Sequence, residues 1–230
     1  KEHDIWGWSR QITAGRVLSI VAVSGENGDA LMLVVERQIN GQGRIFLERL
    51  APQWQDHEPI EEAFFVDCGL TLRPEQPATR LSGLDHLEGC ELAVLADGSP
   101  VEGCVVREGC IELPYAASVA QAGLPYASAL ASLPIELDGP SGTTLGRQRA
   151  HGMCTARLYR SVGGKYGPGR QELYDLPFLP EYWGQAILPY SGDVSFTPGG
   201  TWAASDNLWL VQDRPLPFRL LSLVLEVSFS

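Results

Sequence analysis

The chain has 230 residues, 44% hydrophobic and 20% charged, with 25 Gly and 16 Pro, which suits one large or two ordinary domains with packed cores and many turns. Its 17 basic against 28 acidic residues give a net charge of −11. That balance argues against tight, sequence-specific nucleic-acid binding, whose affinity rests on clustered Lys and Arg neutralising phosphates. No run of about 18 apolar residues and no basic region followed by an apolar stretch occurs, so neither a membrane span nor a secretion signal is expected.

The chain begins at Lys1 rather than Met and enters strand-like sequence at once, which reads as a piece of a longer polypeptide. In Ile5-Trp6-Gly7-Trp8 the period of an extended strand puts Trp6 and Trp8 on one side. Three strand-like runs follow, Arg16 to Val23, Ala30 to Arg37 and Arg44 to Leu50. Asn40-Gly41 favours positive φ at both centres of a tight turn, so the second and third runs are predicted to pair antiparallel. Ala51 to Ile60 is polar, contains Pro and has no period; it reads as a connector.

A second β-rich region is predicted from Phe64-Phe65-Val66-Asp67, Thr79 to Leu81 and the apolar run Glu91 to Ala96, with Ser82 to Gly89 as turns. Val101 to Arg107 and Cys110 to Leu113 are predicted to form a hairpin about Glu108-Gly109. Ala116 to Leu137 is rich in Ala and Leu, but Gly123-Leu124-Pro125 and Leu133-Pro134 interrupt it, which favours extended segments over a helix. Asp138 to Gly142 is the clearest break. Beyond it Gly152 to Arg160 alternates, with Cys154, Ala156 and Leu158 on one side and Met153, Thr155 and Arg157 on the other. Leu208 to Gln212 and Pro217 to Ser230 complete the strands. No stretch carries a sustained helical stripe. The expectation is an all-β fold of two or three small antiparallel β-barrel-like or sandwich-like modules, divided as 1–60, 61–138 and 139–230.

Signatures of chemistry are missing from the sequence. Gly164-Lys165 lacks both the upstream Gly and the downstream Ser or Thr of a phosphate-binding loop, and no G-x-S-x-G elbow occurs. His3, His57, His86 and His151 are isolated, and the five cysteines have no CxxC spacing, so no metal or cofactor is expected. The cysteines read as reduced core residues, with one disulfide left open as an alternative. Glu58, Glu61 and Glu62, and Asp85, Glu88 and Glu91, form acidic clusters that read as solvated loops; facing carboxylates for glycoside cleavage are the alternative. Arg147, Arg149, Arg157 and Arg160 read as an ion-paired strand face. Tyr182, Trp183, Tyr190 and Trp202 belong to an aromatic-rich stretch that, with Trp6 and Trp8, is expected to form subunit interfaces, where Trp and Tyr are enriched. Sugar stacking on Trp183 or Trp202 is the alternative, which glycan binding and a Trp183→Ala variant discriminate.

Several blocks carry a resemblance. Trp8-Ser9-Arg10 followed by Gly15, then Val34 to Gly41 and Phe46 to Leu50, resembles the end of the propeller-like region of certain tailed-phage and prophage tail proteins. Gly83 to Gly89 leading to Val94-Leu95-Ala96-Asp97-Gly98 resembles the module those proteins carry next, which is similar to the first catalytic-cysteine half-domain of ubiquitin-activating enzymes. Gly123-Leu124-Pro125-Tyr126 and Gln212 to Pro217 fit the same pattern. Such an activating enzyme also needs an adenylation domain and a thioester-forming cysteine in another segment, neither of which this sequence shows, so Cys90 and Cys104 take no such role. The resemblance implies a non-catalytic virion protein of the nozzle or tail-tube-associated type, made in the host bacterial cytoplasm. It implies partners among copies of itself, commonly in sixfold rings, and among other tail proteins, with no membrane insertion. A negative ring lumen would let DNA pass without adhering. A tail-associated carbohydrate-binding or depolymerising module is the alternative.

Overall fold

The computed structural model describes residues 10–25, 28–136, 138–139, 142–144, 146–177, 188–199, 202 and 207–230. The fold is all-β, as its turn-rich sequence predicts, and helix among the described residues is confined to two single 3-10 turns, Ile60–Glu62 and Asp85–Leu87. Among the described residues every strand pairing is antiparallel, and none of the small sheets closes into a barrel.

The first three strands, β1 (Arg16–Gly25), β2 (Gly28–Ile39) and β3 (Gln42–Arg49), form one sheet in that order. The β2–β3 turn falls at Asn40-Gly41, both with positive φ (47° and 75°), as the Asn-Gly pair demands. Strand β2 is used unevenly along its length. Val35, Arg37 and Ile39 are buried, while its first half is open to solvent and β1 is exposed at all ten positions.

The second module contains β4 (Asp67–Leu72), β5 (Ala78–Ser82), β6 (Glu91–Ala96), β7 (Ser99–Val105), β8 (Cys110–Ala117) and β9 (Ala120–Leu124). Its four-stranded sheet runs β4-β9-β6-β7, and a β5-β8 pair covers it. Leu81, Leu84, Leu87, Val94 and Ile111 fill the space between, and Ile39 and Phe46 of the first sheet join this core. The turn expected at Glu108-Gly109 forms with positive φ at both residues, but the hairpin does not extend beyond one bridge, Arg107 to Cys110. Strand β7 stays with β6, whereas β8 crosses to β5, because Cys104 and Ile111 face the same core from opposite layers. Glu88 accepts hydrogen bonds from the Glu108 and Gly109 amides at 3.0 and 2.8 Å, satisfying the corner's donors.

The third module contains β10 (Ser128–Ala131), β11 (Asp138–Gly139), β12 (Gly142–Thr143), β13 (Arg149–Ser161), β14 (Lys165–Gly169), β15 (Glu172–Asp175), β16 (Tyr190–Phe196), β17 (Trp209–Gln212) and β18 (Leu220–Phe229). Strand β10 pairs with β17, so the chain has entered this module by Ser128. Sheets β16-β13-β18 and β10-β17-β14-β15 share one core, to which Cys154, Ala156 and Leu158 contribute the inward side of β13. Tyr166 and Phe196 pack across that core with ring centroids 4.3 Å apart.

Ala51 to Ile60, read in the sequence as a connector, and Phe64 to Val66, predicted as strand but not in a strand because β4 begins only at Asp67, belong to one segment, 51–66, that builds a core of its own. Trp54, Ala63, Leu95 and Leu216 are buried together, with Leu95 supplied by the second module and Leu216 by the chain leading into β18. The segment is therefore packed filling between modules, not a solvated linker.

Candidate functional site

A groove of about 830 Å³ lies between face and edge of the first sheet, the connector and the start of the second module. Its walls are apolar: Val17, Ile20 and Leu33 from β1 and β2, Phe64 and Phe65 from the connector, and Leu70 from β4. Its base is polar. The Arg37 side chain is 2% exposed and donates Nε and Nη2 to the two oxygens of Glu48 at 2.6 and 2.7 Å. Its Nη1 donates to the Ala14 carbonyl at 2.9 Å and lies 3.7 Å from the Asp67 carboxylate. Thr13 donates its hydroxyl to the same Asp67 oxygen at 2.5 Å.

Burial alone would lower the pKa of the Arg37 guanidinium. The hydrogen bonds and charge of Glu48, with Asp67 behind it, more than reverse this and hold it above its ordinary value. The neighbouring Cys68 thiol is pushed up to about 12, first by burial and then by the charge and hydrogen bonding of Glu48, against a smaller opposing pull from Arg37. A nucleophilic cysteine needs the thiolate near neutral pH. Cys68 is held as the thiol.

The backbone here is tightly fitted. Cys68 has positive φ (49°) within a bulge between Asp67 and Leu70 in the β4–β9 pairing. A Cβ on Gly123 would lie 2.6 Å from the Asp67 carbonyl and 2.7 Å from Gly69 Cα, so glycine permits the strands to approach. His86, isolated in sequence, reaches this region: its Nε2 lies 3.0 Å from the Cys68 carbonyl oxygen, and its ring meets Phe46 edge-on at 6.2 Å. The structure thus brings together a Cys, a His and two carboxylates from three separate sequence blocks. Among the described residues, no three His, Cys, Asp or Glu side chains converge to hold a metal ion.

A second polar cluster fastens the connector to the third module. Arg160 stacks its guanidinium 4.1 Å from the Trp54 ring centre and donates to the carbonyls of Gln55, Asp56 and Glu58. Arg219 donates to the Asp56 carboxylate at 2.7 Å and to the Trp54 carbonyl, and Tyr159 donates its hydroxyl to Asp56 at 2.7 Å. These bonds, that of Tyr159 foremost and then that of Arg219, hold the Asp56 carboxyl below its ordinary range. Nothing in the spacing of Trp54, Asp56, Tyr159 and Arg219 announces this cluster, since its halves lie about a hundred residues apart.

The acidic and basic groups singled out in the sequence mostly serve as local ties. Glu58 accepts from the Gln55 amide and Glu62 pairs with Arg73, both at 2.5 Å. Arg157 forms a two-pronged pair with Asp193 at 2.7 and 2.9 Å, and buried Arg149 donates to the Ile135 carbonyl at 2.7 Å. Of the aromatic candidates, Tyr190 is half-buried against the third core and donates its hydroxyl to the Asp193 carbonyl at 3.1 Å, and Trp202 is 48% exposed. Trp6, Trp8, Tyr182 and Trp183 lie outside the described residues.

The exposed apolar surface is concentrated elsewhere. In the first sheet, Val21, Met32, Val34 and Ile45 share the face turned away from the groove, and Leu47, opposite Val34, stands at the groove's edge and lines it. Ile45 and Leu47 are 67% and 72% exposed, and Val21 is 56%. The opposite face continues the groove wall through Ile20 and Leu33. Compared with known proteins, the sequence matches no family model and no curated protein.

Proposed function

We propose that the chain is a non-catalytic structural protein of a phage or prophage tail, of the nozzle or tail-tube-associated type, that assembles through contacts between β-modules. One observation carries the reading: the first sheet leaves large apolar side chains exposed on both faces, Val21 and Ile45 on one and Val17 and Ile20 on the other. Folded chains seldom leave so large an apolar area uncovered unless it meets another surface. The use of the polar groups supports it as well. In the groove, two carboxylates are committed to one guanidinium and the thiol stays protonated, an arrangement that fastens modules and leaves no activated nucleophile or base there.

The family resemblance of the Val34–Gly41, Gly83–Gly98 and Gln212–Pro217 blocks supplies the virion context. The partners of this reading are copies of the chain and neighbouring tail proteins. Its charge of −11 disfavours adhesion to DNA, and no helix among the described residues is long and apolar enough to cross a membrane. Quantitative mass spectrometry of purified particles tests the proposal. The chain's peptides are expected at a fixed copy number per particle, alongside known tail components. Their absence from particles of a phage that expresses the gene would refute it.

A further inference from the structure

The geometry points to a head-to-tail contact between copies, in which the Val21–Ile45 face of one first sheet seats in the groove beneath the first sheet of the next. This rests on the assembly reading above and names the surfaces it uses. They are not the aromatic stretches expected from sequence.

Three features select a second copy as the occupant. First, Arg16, Arg37, Arg44 and Arg49 balance Glu26, Asp29, Glu36 and Glu48, so the segment 16–49 has no net charge in a chain of −11. Identical acidic molecules repel over most of their surface, and this is where two copies approach at least electrostatic cost. Second, the two apolar surfaces are complementary in kind: one face projects Val21 and Ile45, and the other is the wall of a groove whose far side is Phe64, Phe65 and Leu70. Third, they lie on opposite faces of one sheet, so a projecting face and a receiving groove cannot be satisfied by one twofold contact. Each copy offers both halves, which is the requirement for a heterologous contact that closes into a ring.

Area sets the strength. The projecting face offers roughly 200 Å² of apolar surface at about 100 Å² per fully exposed aliphatic side chain. With a similar contribution from the groove and the polar surface that accompanies both, one contact buries about 700 Å², under the ~1,000 Å² of a stable specific interface. Single contacts are therefore weak, and ring closure supplies the stability.

The test is sedimentation of the full chain and two sets of variants, with circular dichroism to verify folding. The wild type is expected to associate with rising concentration, up to about 200 µM, in the range of weak contacts. Ile45→Glu blocks the projecting face; Leu70→Glu, or Ile20→Glu as a second choice, blocks the groove. Each variant alone is expected to be monomeric. An equimolar mixture of one from each set should form a 1:1 dimer and stop there, since only one intact pair of surfaces remains. Three outcomes overturn the inference: a wild type monomeric throughout, association unaffected by the variants, or no dimer on mixing. None of these alters the chain's copy number in particles, so the broader proposal stands or falls separately.

Discussion

Arg37 engages two carboxylates from the floor of the groove, Glu48 through a bidentate pair and Asp67 at 3.7 Å. Removing the cation leaves both anions in a partly desolvated site with Thr13 and Cys68 as their neutral neighbours. Arg37→Met is expected to cost about 3 kcal/mol, near the lower end for breaking a buried pair from one side, because Glu48 and Asp67 retain some solvent; urea denaturation reads it. Cys68 gives a chemical readout of the same site. With its pKa raised from 9.0 to about 12, its thiolate fraction at pH 8 falls by roughly a thousandfold against an unperturbed thiol. Iodoacetamide labelling at pH 8, resolved by peptide mass spectrometry, should modify Cys68 in the folded chain slower than in urea by about that factor. The Ala30 to Arg37 run between turns already marks a strand, but the burial of Arg37 is not legible there. Its partners lie 11 and 30 residues further on, and only the docking of the first sheet on the second module brings Asp67 to it.

Strands and turns were legible to the extent that their signals are local. Asn40-Gly41 predicts its hairpin because the conformation resides in those two residues, and Glu91 to Ala96 reads as a strand because the run is apolar and bounded by a turn. The Glu108-Gly109 turn was equally readable. What its flanking strands pair with depends on β5 and β6, distant in sequence, so a predicted hairpin became a corner between layers. The connector misled for a related reason: its polar composition conceals Trp54, which fills an inter-module core. At the same scale, the close approach of β4 and β9 at Gly69 and Gly123 predicts a sharp sensitivity. Gly123→Ala forces a methyl against the Asp67 carbonyl and is expected to destabilise by about 2 kcal/mol, as overpacking does. A thermal melt should show it, and Gly103→Ala serves as a control for a glycine with open space around it, though its own positive φ adds some strain.

For the molecule as a whole, the acidic composition makes stability depend on pH through the carboxylates that have acquired partners. Asp56, bound by Tyr159 and Arg219, and Asp193, bound by Arg157, both have folded pKa values below the ordinary carboxylate value. A depressed pKa contributes stability above the unfolded value, near pH 4, and that contribution is lost as pH falls through the folded one. Asp56→Asn should therefore lower the urea midpoint relative to wild type at pH 6, and the difference should shrink towards zero as pH drops below the ordinary carboxylate range. A gap that persists unchanged at pH 3 would mean that the ion pair is not its source.

Strand β13 has a consequence of a mechanical kind. Its thirteen residues form the central strand of its sheet, and its final turn of sequence, Tyr159 and Arg160, grips the connector through Asp56 and Trp54. One strand of roughly 40 Å thus runs from the far end of the third module to the filling between modules, with irregular pairing between His151 and Cys154 and again beyond Arg157. A pull applied at either end is carried by β18 along most of its length and by β16 as well from Cys154 onward, and those irregular places are where it would yield first.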